Sequence, residues 1–318
     1  MKQIIKRGSF FTLMFMLLGC LSLYAADNNL ITKQITIKLE KAGTLPARFG
    51  SSRKYKITNL KIIGEINGTD LRMIREMAGS NSTDGKLSVL DLSEAKIIEG
   101  GNNGYYTSND VIGNYAFEGC SGLTSLTLPT GITSIGYGAF IGCSGLTSLT
   151  LPAGITKIGS SAFSGCSGLT SLTLPAGITE IDDKAFDNCS GLTSLTLPDG
   201  ITSIGDKAFK GCSGLTSIYV YAEKVPKIGG NVFEGIDAKK CTLYVPMGTY
   251  DNYWLSDFGD YFENIVEFEA TGIDKTTTST DVEEVARYSV NGQRLSAPTK
   301  GLNIVKYSDG SVKKVAVR

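Results

Sequence analysis

The sequence contains no histidine. That removes the commonest general base and the commonest metal ligand together, and with them any serine–histidine or cysteine–histidine nucleophile pair. Charge of one sign is also missing: 31 basic and 31 acidic residues balance. Three of the basic ones are Lys2, Lys6 and Arg7, so the chain beyond residue 25 is mildly acidic at 28 against 31. A chain without basic excess has no electrostatic footprint for nucleic acid or for an anionic membrane surface. The cysteines show no short Cys-x-x-Cys spacing, which counts against zinc. No Gly-x-Gly-x-x-Gly follows a strand and opens a helix to cradle a phosphate. Prolines number only eight. These absences point away from an enzyme and away from any cofactor or metal.

Glycine, by contrast, is abundant at 38 residues, and with so few prolines it signals many turns rather than disorder. The N-terminus reads as a signal peptide over residues 1–25: a basic n-region, then an apolar stretch from Phe10 to Leu18 too short to span a bilayer. Two processing routes are open. Leu17-Leu18-Gly19-Cys20 fits a lipoprotein box that leaves a lipidated Cys20, whereas cleavage after Ala25 or Ala26 leaves a soluble N-terminus. Nothing later in the chain reads as a transmembrane segment.

Writing the middle of the chain in rows of 23 exposes an internal repeat. Ala116-Phe117-Glu118-Gly119-Cys120-Ser121-Gly122-Leu123-Thr124-Ser125-Leu126-Thr127-Leu128-Pro129 returns from Ala139, Ala162, Ala185 and Ala208, and cysteines fall in step at 120, 143, 166, 189 and 212. Within a row, Leu123-x-x-Leu126-x-Leu128 alternates apolar and polar residues, the mark of a half-buried strand. Pro129 ends it, Gly131 turns the chain, and Ile132 and Ile135 point back inward at a second edge. Ala139-Phe140 then opens the next row and fills the far side. One row cannot cover its own apolar face, so the rows must stack and be closed by distinct caps.

Both caps are visible. Leu87-x-x-Leu90-x-Leu92 is a degenerate coil, and Leu60 to Ile63 is a further strand. Thr69 or Asp70 can cap a short helix with Leu71, Ile74 and Met77 on one face. Gly100 to Asp110 reads as a loop carrying Tyr105 and Tyr106. At the other end Cys241 to Val245, stopped by Pro246, makes a closing strand. Tyr250, Tyr253, Trp254, Phe258 and Phe262 supply an aromatic lid. The domain plan is therefore a cap with degenerate coils over 26–111, regular repeats over 112–233 and a second cap over 234–269. A polar linker over 270–281 leads to a small β module over 282–318, marked by Asn291-Gly292 and Asp309-Gly310 turns. The expected fold is an α/β leucine-rich-repeat solenoid of short parallel strands and turns in 23-residue coils, with a small C-terminal all-β module.

The row phrase, closing on Gly-Ile-Thr-x-Ile-Gly, resembles the BspA-like class of leucine-rich repeats over about residues 112 to 233, with a looser likeness from 30 to 266. That resemblance implies a surface or secreted protein concerned with adhesion, and it brings no catalytic residues. Asn291-Gly292-Gln293-Arg294, Lys300-Gly301-Leu302-Asn303-Ile304 and Asp309-Gly310-x-Val312-Lys313-Lys314 resemble the C-terminal sorting modules of secreted Bacteroidetes proteins. This implies export across the outer membrane, with anchoring through that module or through Cys20; a plain β cap is the other reading.

Three columns of the repeat are candidates for function. Ser125 and Thr127 should stand outward from their strand, and they recur as Ser148 and Thr150, Ser171 and Thr173, and Ser194 and Thr196, with Tyr219 in the last coil. This hydroxyl-covered face is the candidate ligand-binding surface; a merely solvated β face is its plain alternative. The cysteine column reads as packing, since stacked side chains point the same way and free buried cysteine behaves as a small hydrophobe. Charged residues such as Asp182, Asp183 and Lys184 read as a solvated edge. The function expected is a cell-surface or secreted binding protein, an adhesin for matrix proteins, glycans or other microbes. The alternative is a structural or decoy surface protein without a specific ligand.

Overall fold

The structure, a computed structural model, describes residues 30–269 except 51, 81, 82 and 103, together with strands at 284–289, 294–295, 301–307 and 312–317. The leader over 1–25, Cys20 within it, and the linker over 270–281 lie outside the described residues. The chain divides after Phe268 into two units.

The first unit opens with β1 (Ile35–Leu39), β2 (Asn59–Ile66), α1 (Gly68–Met77) and β3 (Val89–Ile97), then a hairpin of β4 (Gly100–Asn102) and β5 (Tyr105–Thr107). Six pairs of strands follow: β6 (Val111–Ile112) with β7 (Ser125–Thr127), β8 (Ser134–Ile135) with β9 (Ser148–Thr150), β10 (Lys157–Ile158) with β11 (Ser171–Thr173), β12 (Glu180–Ile181) with β13 (Ser194–Leu197), β14 (Ser203–Ile204) with β15 (Ser217–Val220), and β16 (Lys227–Ile228) with β17 (Thr242–Pro246). Helix α2 (Tyr250–Trp254) and β18 (Asn264–Phe268) close it. All sheets of the coil are parallel. The first member of each pair lies in one six-stranded sheet from β6 to β16; the second members continue β1, β2 and β3 in the orders β1-β2-β3-β7-β9 and β11-β13-β15-β17-β18. The fold is thus a parallel β-solenoid with few helices, and the turn side of each repeat carries hydrogen-bonded turns where an α/β solenoid would carry helices.

Register explains why the repeat is so regular. Residues 23 apart sit side by side, as Leu126 beside Leu149 and Leu172 beside Leu195. Each apolar column therefore stacks on copies of itself. The phenylalanines from Phe117 to Phe209 are fully buried, with centroids 5.0–5.2 Å apart and planes within 6° of parallel. Phe233 extends the column at 5.8 Å, and Phe258, Tyr261 and Phe262 pack onto it as the terminal cover. Among the lid aromatics expected from sequence, Tyr253, Phe258 and Phe262 are buried while Tyr250 and Trp254 remain exposed. The closing strand is β18 rather than the Cys241–Val245 stretch, because Asn264-Ile-Val-Glu-Phe adds one more rung beyond β17.

The turn side is held by a second ladder. In every regular coil three backbone N–H groups donate forward to carbonyls of the next coil, as Gly138 to Ser160 at 3.0 Å, Phe140 to Ala162 at 2.7 Å and Gly142 to Ser164 at 2.8 Å. Aiming them forward requires left-handed backbone at two places per coil. One is glycine or Asn188; the other holds Tyr115, Gly138, Ser161, Lys184, Lys207 and Asn231 in turn, all at φ of 55–58°. On the flanks of the strands the donors point the opposite way, as Thr147 to Thr124, Thr156 to Thr133 and Gly159 to Ile135. A further glycine column, Gly145, Gly168, Gly191 and Gly214, is fixed by proximity: a Cβ there would press into the serine carbonyl of the preceding coil.

The N-terminal cap differs from expectation in one detail. The N-cap of α1 is Asn67, not Thr69 or Asp70: its side chain accepts the Thr69 N–H at 3.0 Å, and Asp70 accepts the Asn67 N–H at 3.0 Å, a reciprocal box. Asp70 is drawn inward because it also accepts the N–H groups of Gly43 and Leu45 at 2.6 and 2.9 Å. The 100–110 segment is partly a hairpin, with Tyr105 lying over the Arg75 guanidinium and Tyr106 exposed. In the second unit β19 (Glu284–Ser289), β20 (Arg294–Leu295), β21 (Gly301–Tyr307) and β22 (Val312–Val317) pair antiparallel in the order β20-β19-β21-β22.

Two substitutions test this stacking. Phe163→Ala removes a ring sandwiched between two others and is expected to cost about 3–5 kcal/mol in urea unfolding. Gly168→Ala, which adds one methyl group, is expected to cost about 1–3 kcal/mol through crowding of the Ser144 carbonyl. A loss below 0.5 kcal/mol for both, taken as roughly the scale of an ordinary surface change, would mean the coils are not packed at this distance.

Candidate functional site

The strands that carry the expected site place its residues as one surface. Ser125 pairs with Ser148 and Thr127 with Thr150 on one sheet; on the next, Ser171, Ser194, Ser217 and Thr242 pair in a row, and Thr173, Thr196, Tyr219 and Tyr244 form the adjacent row. The alternation is visible in burial: Leu149 and Leu172 are buried between exposed Ser148 and Thr150 and exposed Ser171 and Thr173. The face runs unbroken within β11, β13, β15, β17 and β18, while β7 and β9 belong to the other sheet.

Two threonine columns that look alike in sequence behave differently. The threonine that opens each strand is structural: the hydroxyls of Thr124, Thr147, Thr193 and Thr216 donate to a carbonyl of the preceding coil at 2.9–3.1 Å. The outward hydroxyls from Ser125 to Thr196 have no hydrogen-bond partner among the described residues. They are outward-facing donors and acceptors repeated at the coil period. The outward positions from Ser125 to Tyr244 carry no carboxylate, ammonium or guanidinium. Charge begins only at the N-terminal end, where Lys61 pairs with Asp91 at 3.3 Å and with Glu94 at 2.6 Å.

Toward the C-terminal end the floor rises into aromatics. Tyr219 and Tyr244 stack at 4.4 Å with planes 8° apart, and Phe268 meets Tyr219 and Tyr221 edge-on at 6.0 and 5.0 Å. Burial, with Tyr244 and Tyr221 close by, pushes the Tyr219 phenol above its ordinary value; burial does the same to Tyr221. Both therefore stay neutral hydrogen-bonding groups through neutral and mildly alkaline pH. Of this cluster only Tyr219 was singled out from sequence. The alternation Tyr219-Val220-Tyr221, and Tyr244 between inward Leu243 and Val245, carried the signal for two others; Phe268 required knowing that β18 exists. On the cap Met247, Tyr250, Trp254 and Leu255 are exposed, and Leu255 joins Glu223, Lys224, Val225 and Asn252 in lining an open cleft.

The charged edge is more ordered than a solvated face. The Asp183 carboxylate accepts the Asp206 N–H at 2.8 Å, Asp206 accepts the Gly230 N–H at 2.8 Å, and Asn114 accepts the Tyr137 N–H at 2.9 Å. The spacing of Asn114, Asp183 and Asp206 by multiples of 23 was the available signal. These groups join coils and do not converge on a common point.

The cysteine column is buried and unbridged over Cys120, Cys143, Cys166, Cys189, Cys212 and Cys241. Four of these thiols donate to phenylalanine carbonyls, Cys143 to Phe117 at 3.0 Å and Cys166, Cys189 and Cys212 to Phe140, Phe163 and Phe186 at 3.2 Å. Burial pushes the Cys143 thiol up to about 12, that of Cys241 to about 11, and that of Cys120 well beyond the usual thiol range. Such thiols are poor nucleophiles. Among the described residues no three potential metal-ligating side chains come together, and no helix is long and apolar enough to cross a membrane.

Residues 110–248 match the BspA type leucine rich repeat region in six copies. No curated protein matches the chain. Among solved structures, a leucine rich repeat protein of T. pallidum is 27% identical, with 50% of this chain and 68% of that one covered and a TM-score of 0.41. A leucine rich cell surface protein of Faecalibacterium prausnitzii A2-165 is 22% identical, with 67% and 51% covered and a TM-score of 0.35. The pneumococcal vaccine antigen PcpA is 16% identical, with 69% and 61% covered and a TM-score of 0.40. The chain thus spans between half and about two thirds of the length of these structures.

The thiol column makes a simple accessibility experiment. With residues 26–318 folded, Ellman's reagent is expected to leave the six described thiols unmodified for hours and to titrate all six once the protein is unfolded in guanidinium. Rapid reaction in native buffer would show the column open to solvent.

Proposed function

We propose that this chain is an exported leucine-rich-repeat binding protein, displayed at the cell surface or released, that acts as an adhesin toward a protein or glycan on host or microbial surfaces. The observation that carries this reading is the lattice of outward hydroxyls without partners on a rigid, uncharged sheet. A solvated β face needs polarity, but it does not need the same two residues at the same two positions coil after coil. The six matched repeats over 110–248 support the same view, since the class of repeat they match is a stacking scaffold that builds extended recognition surfaces. The ligand-contacting set is Ser125, Thr127, Ser148, Thr150, Ser171, Thr173, Ser194, Thr196 and Tyr219.

Delivery belongs to the two ends of the chain. The basic and apolar leader over 1–25 directs export, and attachment to the outer membrane runs either through a lipidated Cys20 or through the C-terminal β module over 282–318 acting as a sorting signal. The cap over 26–111, the repeats over 112–233 and the cap over 234–269 then form the exposed binding unit.

An array of matrix proteins and glycans at physiological salt tests this, probed with residues 26–318 and with a variant in which Ser148, Thr150, Ser171 and Thr173 are all lysine. Binding that the variant loses at least tenfold, with an unchanged circular dichroism spectrum, is the expected result. Binding undiminished in the variant, or none to any spot, overturns the assignment of the face.

A further inference from the structure

Resting on that reading of the sheet face, we infer that its ligand is an uncharged, extended polysaccharide whose pyranose units are linked equatorially, lying along the solenoid axis with one sugar set against the free face of Tyr219.

Four observations meet at this point. The first is charge. From Ser125 to Tyr244 the outward strand positions carry only hydroxyls and phenols, and the Tyr219 and Tyr221 phenols are held neutral. A protein epitope or a sulfated or uronic chain brings charges that such a face leaves unanswered, and desolvating them is costly. A neutral sugar brings hydroxyls that can exchange their water for other hydroxyls.

The second is the hydroxyl lattice itself. Ser171, Thr173, Ser194, Thr196, Ser217 and Thr242 lie on one continuous sheet, with both lone pairs and the proton of each oxygen uncommitted among the described residues. The two coils before Tyr219 each offer a pair, one group per row, and Ser148 with Thr150 and Ser125 with Thr127 offer the same pair on the strands of the other sheet, so a ligand crossing these coils gains the same pair of contacts at each step.

The third is the period. Neighbouring strands in such a ladder lie about 4.7–4.9 Å apart, and on the turn side the phenylalanine rings step by 5.0–5.2 Å per coil. A pyranose ring linked equatorially at both ends advances its chain by nearly the same step. Such a chain is flat and stiff, so its units stay in register with the coils over several repeats. An axially linked chain coils and loses register after one or two sugars.

The fourth is the aromatic wall. Tyr244 covers one face of Tyr219, and Phe268 buttresses its edge. The register Thr196 beside Tyr219 beside Tyr244 leaves the other face of Tyr219 directed over the Thr196 coil. A sugar ending a chain that lies along the axis meets that face end-on, the aromatic contributing apolar area and its hydroxyl a polar tip. Floor and wall together form a step against which the last sugar of the bound stretch abuts.

Calorimetry at two salt concentrations tests the inference. The probes are cellohexaose and chitohexaose, both equatorially linked, and maltohexaose, which is not. One or both of the first two are expected to bind, with affinity rising from trisaccharide to hexasaccharide and little salt dependence, while maltohexaose binds at least tenfold more weakly. Tyr219→Thr, which installs the residue of the preceding coils, and Thr173→Lys, far from the aromatic packing, are each expected to weaken binding at least tenfold. Lys157→Ser, on the other sheet, leaves it unchanged. Thermal melting confirms that each variant is folded, and Thr173→Lys stands as the test if Tyr219→Thr is not. Absence of hexasaccharide binding at millimolar concentration, or equal binding of maltohexaose, overturns this inference. It does so without touching the adhesin reading if the array still yields a ligand that the lysine variant loses. Hexasaccharide binding that survives Thr173→Lys overturns both this inference and the assignment of the face.

Discussion

The regular coils of this protein depend on each residue sitting beside its counterpart 23 positions away. That constraint explains chemistry which makes no sense within one coil. Phenylalanine recurs because a parallel, offset ring in the adjacent coil is a favourable neighbour for a buried flat ring. Glycine recurs where the next coil's carbonyl occupies the space of a Cβ. Cysteine recurs because its small thiol fills a gap and reaches a phenylalanine carbonyl of the preceding coil. None of these residues has a role that a single repeat could express, and a change in any one is felt by two neighbours.

Much of this was legible in advance because the same constraint acts on the sequence. Leu126 between Ser125 and Thr127, repeated at 149 and 172, announces a strand with an inner and an outer side. The sequence was silent where function is shared between distant residues that differ in type. Asn114, Asp183 and Asp206 do one job with two residue types, and Tyr137 and Ser160 interrupt the column. The cap was misread by two residues at Asn67 because Asp70 answers to Gly43 and Leu45, contacts that no local pattern encodes. The aromatic cluster was seen only at Tyr219; Tyr221, Tyr244 and Phe268 join it from strands whose neighbour relations emerge only on stacking.

The two threonine columns show how fold and function divide a repeat. Thr124 and Thr127 are three residues apart and chemically identical, yet one hydroxyl is spent on the preceding coil and the other is left free. The scaffold thus needs only part of its polar inventory. The remainder faces outward from strands whose outward positions carry no charged side chain. The C-terminal aromatics end that stretch, making one end of the surface different from the other.

The hydrogen bonds of the turn side and of the strand flanks run in opposite directions along the solenoid. In an α-helix all such bonds align and their peptide dipoles add, leaving partial charges at the two ends. Here the three forward donors of each regular coil are opposed by backward donors on the strand flanks of most coils, and the parallel ladders between them exchange bonds both ways, so the axial dipoles largely oppose one another. Added coils therefore build up no electrostatic field along the axis. Array length is free to vary by recombination, with the ends asking only for cover over their apolar surface.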